Sequence, residues 1–285
     1  MKRSDYRFTE RLRVRWAEVD MQKIVFNGHY LMYFDTAVAG YWRALALPYH
    51  DAMERLQGDL FVRKATLEYL GSARYDEVLD VGMRCARIGN SSLVFQAAAF
   101  RGETRLVHGE LVYVFADPAT QTSRPMPAPL RDIFQGYEAG EAMSRVQTGD
   151  WATLSEAARG IRQAVFVEEQ RIPADLVCDA ADDTAVHAVA FNRLDMPVAA
   201  GRLLVAAPGV GKIGRMATLS AVRGARLGRS VLDALMQAAR ERGDHEVMLQ
   251  AQTSAVPFYL RAGYQAHGPE FEEAGIPHQE MRIAL

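Results

Sequence analysis

Two short stretches carry residues whose types and spacing suit chemistry. In RWAEVDMQKIVFNGHY, residues 15–30, Asp20 stands where a polar segment gives way to an apolar helical run. That run, HYLMYFDTAVAGYWRALAL, predicts a helix from about Gly28 to Leu47, stopped by Pro48 and apolar on nearly every face. Such a helix is buried on most sides. Its leading N–H groups are then buried too and need partners. A substrate carbonyl is one such partner, because aimed N–H groups stabilise a developing oxyanion. A carboxylate beside it attacks that carbonyl or activates water as a base. The plainer role for Asp20 is a loop acid that favours the helix dipole by a few tenths of a kcal/mol.

The second stretch is VRGARLGRS, residues 222–230. It follows KIGRMATL, which reads as a strand, and a long helix starts at it. Strand, glycine-containing turn and helix N-terminus form the arrangement that holds pyrophosphate on backbone N–H groups. Arg223, Arg226 and Arg229 add positive charge there. An ordinary helix cap accounts for Gly224 and Gly228 equally well. A Walker A loop is excluded, since no G-K-[ST] is present. A dinucleotide fold lacks its acid-ended second strand at the expected spacing of ~20 residues.

Other elements must position these stretches. Residues 6–17 read as a strand and 18–27 as a loop. After the helix come FVRKATLEYL, VLDVGMRCARIG, SLVFQAAAFRG and RLVHGELVYVFAD, four strand-like runs with Gly and Asn at their turns. A curved sheet around one helix satisfies this order. DPATQTSRPMPAP, dense in proline, marks the end of a domain, and residues 132–149 read as a linker. A helix, SEAARGIRQAVFVEEQ, then opens a mixed α/β pattern. It continues with a hairpin turning at Asp195–Pro197, the strand KIGRMATL and a helix over 224–242. The strand HEVMLQAQ, the short helix VPFYLRAG closed by Gly263 and a strand-like tail follow.

With 285 residues, 49% apolar content and 24% charged residues, two globular domains are expected. A formal charge of -2 implies no bulk attraction to nucleic acid or membrane. Cys85 and Cys178 make neither a disulfide framework nor a metal motif, so no metal and a reducing cytoplasm are expected. The N-terminus lacks the apolar core of a signal peptide, and no apolar run reaches membrane-spanning length.

RVRWAEVDMQKIVFNGHYLMYFDTA resembles the opening of hotdog-fold thioesterases of the 4-hydroxybenzoyl-CoA class, with matching element order over about residues 6–130. The resemblance implies an antiparallel sheet wrapped round one long helix. It implies pairing of sheets edge to edge into a homodimer or homotetramer, with acyl-CoA bound between subunits. It also implies Asp20 as nucleophile or general base, and N–H groups at Asn27, Gly28 and His29 as the carbonyl-polarising set. Lys23 stands where the family commonly has a loop glycine, Asn27 where it often has His or Tyr, and His29 where it has Asn.

R-G-A-R-L-G resembles the Q/R-x-x-G-x-G/A pyrophosphate motif of GNAT acetyltransferases, with Arg226 in place of the middle glycine. VFVEEQRIP, HAVAFN, GKIGRMAT, LQAQ, PFYLRAGY and FEEAGIPH recur in that order in the ElaA-like group, so the resemblance covers about 150–285. It implies acetyl-CoA held along Met216, Ala217 and Thr218 and on the turn Arg223, Gly224, Ala225, Arg226, Leu227, Gly228 and Arg229. It implies Tyr259 as general acid to the leaving thiolate. A core tyrosine with a satisfied hydroxyl is the alternative for Tyr259. Glu168, Glu169 and His187 are candidates for a base, and His278 for the acceptor wall.

The expected fold class is α+β, with a hotdog domain over 1–131, a linker over 132–149 and a GNAT-type α/β domain over 150–285. The expected function is bifunctional: acyl-CoA thioester hydrolysis in the first domain, and acetyl transfer from acetyl-CoA to a small-molecule amine or similar acceptor in the second. The alternative is that one domain is catalytic and the other binds acyl-CoA or serves oligomerisation.

Overall fold

The computed structural model describes residues 1–285 except residue 274, which falls within FEEAGIPH. The chain divides into two compact units, Met1–Met143 and Ser144–Leu285.

The first unit contains β1 (Phe8–Arg13), β2 (Asp59–Tyr69), β3 (Val78–Ile88), β4 (Ser92–Arg101) and β5 (Thr104–Ala116). They form one antiparallel sheet in the order β1-β3-β4-β5-β2. Helix α1 (His29–Ala44) packs on this sheet. Tyr30, Tyr33, Phe34, Ala37, Val38, Tyr41 and Trp42 recur at helical spacing and are buried. The Tyr41 ring meets Phe95 of β4 edge to face at 5.3 Å. Gly40 lets the helix approach β1, since a Cβ there would lie 2.2 Å from Glu10 and 2.6 Å from Phe8.

Three expectations change here. The helix expected over 28–47 is α1 and ends earlier, at Ala44; Ala46 adopts φ +56, and a second helix not expected from the sequence, α2 (Tyr49–Arg55), starts after Pro48. Helix α1 is not buried all round: Leu31, Met32, Asp35, Thr36 and Ala39 form an exposed stripe. A single sheet covers only one side of it, and the residues before its start, Phe26 to Gly28, are exposed as well. The span 132–149 is structured: it holds most of α3 (Ala128–Glu138) and all of β6 (Ser144–Gly149). Leu130, Ile133, Phe134 and Tyr137 bury one face of α3. Glu138 accepts hydrogen bonds from the Tyr41 hydroxyl and, at 2.8 Å, from the Cys85 N–H.

The second unit is a seven-stranded sheet in the order β11-β12-β10-β9-β8-β7-β6. Its remaining strands are β7 (Val186–Asn192), β8 (Pro197–Ala207), β9 (Val210–Thr218), β10 (Glu246–Gln252), β11 (Gln265–Glu273) and β12 (Ile276–Ala284). Helix α4 (Trp151–Arg162) starts at Asp150, whose carboxylate accepts the Thr153 N–H at 2.9 Å. It packs Leu154, Ala158 and Ile161 against Val189, Ala200 and Ala217, then runs into a π-helical turn, Gln163–Glu169. On the opposite face, α5 (Leu227–Arg242) brings Val231 and Leu235 against Gly201, where a Cβ would lie 2.9 Å from Leu235. A short α6 (Val256–Arg261) follows β10.

Beside the sheet, Arg162 donates to both oxygens of Asp182 at 3.0 and 2.9 Å, and Arg202 donates to Asp182 at 2.8 Å. Arg162 and Asp182 are buried. Burial raises the Asp182 carboxyl, but hydrogen bonds from the two arginines outweigh it and the net shift is downward. At Asp179, Arg202 hydrogen bonds hold the carboxyl down to about 2. Asp182→Ala leaves the buried Arg162 guanidinium without its counter-charge, with Arg202 still held by Asp179, and is expected to cost about 3–5 kcal/mol in urea unfolding of the second unit. A depressed native carboxyl binds its proton more weakly than the unfolded one. Its stabilisation is therefore present above about pH 4 and lost as pH falls toward about 2. Acid unfolding of the second unit should track that window, and an Asp179→Ala variant should show a shallower dependence.

Candidate functional sites

Asp20 sits on a closed loop. Val19 and Val25 form an antiparallel bridge. Inside it the Asp20 N–H donates to the Ile24 carbonyl, and the Lys23 N–H donates to the Asp20 carbonyl, both at 2.9 Å. One Asp20 carboxylate oxygen accepts the Gln22 N–H at 2.8 Å. Closing this turn puts Lys23 at φ +62, a conformation that favours glycine. This is the physical reason for a glycine at that position.

A buried carboxylate that sequence reasoning passed over anchors the loop. Glu18 is 3% exposed and accepts the Tyr33 hydroxyl at 2.6 Å and the Arg15 N–H at 2.7 Å. Burial raises its carboxyl, yet the hydrogen bonds from Tyr33 and Arg15 hold it below the usual range. The Phe26 N–H donates to the Glu18 carbonyl and the Val25 N–H to Ala73, both at 2.9 Å. The only sign of Glu18 in sequence was its place two residues before Asp20.

The residues at the start of α1 divide into two kinds. The His29 N–H already donates to the Phe26 carbonyl at 2.9 Å, so it is taken. The N–H groups of Asn27 and Gly28 donate to no acceptor among the described residues. The Tyr69 hydroxyl holds the Asn27 carbonyl at 3.1 Å. The His29 ring lies against Met32, with Nδ1 3.4 Å from the sulfur. Met21, Phe26, Leu31 and Met32 expose apolar surface around this point. Glu68 is on the other face of the sheet beside His108, lining a depression of about 270 Å³ that holds neither Asp20 nor Asn27.

In the second unit, β9 and β10 run parallel and pair only over Val210–Ile213 and Glu246–Leu249. Beyond Ile213 they part, leaving the β10-facing edge of Gly214 to Thr218 open. A cavity of about 610 Å³ lies at this parting, and its wall includes Met216, Gln250, Gln252, Tyr259 and His278. Gly214 is on its floor, where a Cβ would meet nothing within 4 Å. Thr218 reaches the α5 turn: a Cβ on Gly228 would lie 3.2 Å from its hydroxyl. Ala217 points the other way, into the α4 core.

The α5 turn is open to an anion. The N–H groups of Gly224, Arg226, Leu227, Gly228 and Arg229 donate to no acceptor among the described residues. Gly224 has φ +93 and Arg226 φ +63, so the glycine that Arg226 replaces would have relieved strain. The three arginines differ. Arg223 is bound bidentately by Glu169 at 2.6 Å and donates to the Thr218 carbonyl at 3.0 Å. Arg229 pairs with Asp233 at 2.8 Å. The Arg226 guanidinium has no ion pair among the described residues. The α5 helix itself begins at Leu227, later than the expected 224, because the left-handed Arg226 ends the turn.

Tyr259 is 7% exposed, and its hydroxyl makes no hydrogen bond among the described residues. Burial pushes the phenol up to about 12, so it carries its proton at neutral pH. The base candidates separate as clearly. Glu169 is held by Arg223, whose hydrogen bonds keep its carboxyl below the usual range. His187 is fully buried beside Asp182, and burial pulls its imidazole below the ordinary value. Glu168 contacts Gln163 at 3.5 Å. Neither His187 nor Glu168 lines the cavity, and His278 does.

Residues 162–285 match the acetyltransferase (GNAT) domain model, and residues 22–108 match that of the thioesterase superfamily. The uncharacterized N-acetyltransferase YjcF of Bacillus subtilis (strain 168) is 39% identical over 122 residues, 42% of this chain and 86% of the relative. The acyl-CoA thioester hydrolase YbgC of Escherichia coli O6:H1 is 26% identical over 120 residues, 41% of this chain and 87% of the relative. A solved 1,4-dihydroxy-2-naphthoyl-CoA thioesterase from Synechocystis is 15% identical, covers 45% of this chain and 95% of its own, and has a TM-score of 0.42. Through its second unit the chain belongs to the GNAT acetyltransferases, and its first unit is a hotdog domain of the thioesterase superfamily. It is a two-domain fusion of acyl-CoA-related folds.

The left-handed residues give a stability test. Lys23→Gly and Arg226→Gly each relieve a positive φ and should stabilise their own unit by about 0.5 to 1 kcal/mol after the entropy cost of glycine. Denaturant unfolding of each variant measures this. A loss of stability would show that the cationic side chains hold the turns.

Proposed function

We propose that the chain is a bifunctional acyl-CoA enzyme, hydrolysing an acyl-CoA thioester in the first domain and transferring acetyl from acetyl-CoA to an amine in the second. The observation that carries it is the second site: five unpaired N–H groups at one helix start beside parted strands, opening on a cavity with an unpartnered phenol. The pyrophosphate takes the N–H groups of the Gly224–Arg229 turn, with Arg226 as the free cation. The pantetheine runs along the open edge of Met216–Thr218 as an added strand. The amine attacks the thioester carbon, the C–S bond breaks, and Tyr259 gives its proton to the leaving sulfur.

In the first domain the thioester oxygen docks on the Asn27 and Gly28 N–H groups, and Asp20 attacks the carbonyl or deprotonates a water. The exposed apolar surface around this point and the unpaired outer edge of β2 support a homodimer or homotetramer that covers the site. A second reading, in which the first domain binds acyl-CoA without turnover, draws on Asp20 already accepting the Gln22 N–H.

Free thiol released from a panel of acyl-CoAs without acceptor tests the first activity. Asp20→Asn should lower release by about 10²–10⁴-fold and leave release-independent CoA binding intact. No release from any acyl-CoA by the parent would favour the binding reading. Acetyl transfer to amines tests the second activity. Tyr259→Phe should lower kcat by about 10²-fold or more, whereas Gly214→Leu should fill the cavity floor and abolish transfer while acetyl-CoA still binds. An undiminished rate in Tyr259→Phe would remove the phenol from the mechanism.

A further inference from the structure

Resting on the acetyl-transfer reading, we propose that His278 is the general base that takes the proton from the acceptor ammonium. His278 is on β12, opposite Gln252 of β10, and lines the same cavity as Tyr259. Its Nδ1 lies 2.8 Å from the Ile276 carbonyl, which can only accept, so Nδ1 carries the hydrogen in the neutral ring. Nε2 is then left with a lone pair and no partner among the described residues. The ring stacks on Phe271 at 5.9 Å with planes 24° apart, which fixes its orientation. Between β8 and β10 the floor of the cavity is Gly214, open to a ligand.

The other acids and bases are spent or absent from the wall. Asp179 is committed to Arg202 and Arg215. The charged groups facing the cavity besides it are Arg202 of β8, Lys212 and Arg215 of β9, and Glu273 of β11. Three of these are cations, so Glu273 is the one rival base. The step balances. The ammonium proton passes to Nε2, and the amine lone pair forms the C–N bond. The C–S electrons leave on sulfur, which takes the Tyr259 proton. The second N–H proton is lost through solvent to restore the phenol, and His278 releases its own to solvent.

The test is kcat/KM of the full chain with acetyl-CoA and primary amines of graded basicity. His278→Gln should lower the rate with strongly basic amines by about 10²-fold, and the remaining rate should rise tenfold per pH unit as free amine forms. Weakly basic amines, already neutral in solution, should lose little, and acetyl-CoA binding should be unchanged. An equal loss with all amines, or a loss confined to strongly basic amines in Glu273→Gln instead, would overturn the assignment. A parent chain that acetylates no amine would fail differently, removing the acetyl-transfer reading itself and the proposal with it.

Discussion

Both proposed sites depend on backbone N–H groups at a helix start that the fold leaves without acceptors among the described residues. At α1 these are Asn27 and Gly28, and at α5 Gly224 and Arg226 to Arg229, the Ala225 N–H being taken by the Val222 carbonyl. Most of these residues are exposed, so their N–H groups stay free for a ligand. An anion or developing oxyanion gains from them and from the helix dipole. In each case a left-handed residue sets the turn that leads in: Lys23 at φ +62 and Arg226 at φ +63. Both positions would suit glycine, and both carry a cation.

The second unit shows how the rest of the fold serves that opening. Strands β9 and β10 pair for four residues and then separate. On both faces the strands beside the opening are packed: α5 near Gly201 and Met216, α4 on Ala200 and Ala217. The Glu169–Arg223 pair ties the π-helical end of α4 to the turn before α5. A π-turn at a functional edge is a common place for such distortion. The Asp182 cluster behind the sheet then holds Arg202 and, through Asp179, Arg215 against the cavity wall.

Much of this was legible from sequence because local periodicity and turn residues dominate. The four strands after α1, the hairpin at Asp195–Pro197 and the α5 apolar face follow directly from alternation and helical spacing. What was not legible depended on tertiary context. Residues 132–149 look polar overall, yet Ile133, Phe134 and Tyr137 fall on one face and find a sheet to bury against. The polarity of the span hid an amphipathic pattern. Helix α1 looked buried all round because apolar composition says nothing about whether a second surface is present to cover Leu31 and Met32. Arg223 looked like free positive charge, and only the fold shows that Glu169, 54 residues earlier, consumes it. Glu18 had no local signature, since its partners Tyr33 and Arg15 matter only once the loop closes.

The proposed function places two acyl-CoA sites of unlike construction on one chain. Its most direct test is the binding stoichiometry of a non-hydrolysable acyl-CoA thioether, measured by calorimetry on the intact protein. Two sites per chain with separable affinities are expected, the one in the second unit selectively weakened by Arg226→Glu. A single site per chain, or two that weaken together, would contradict it.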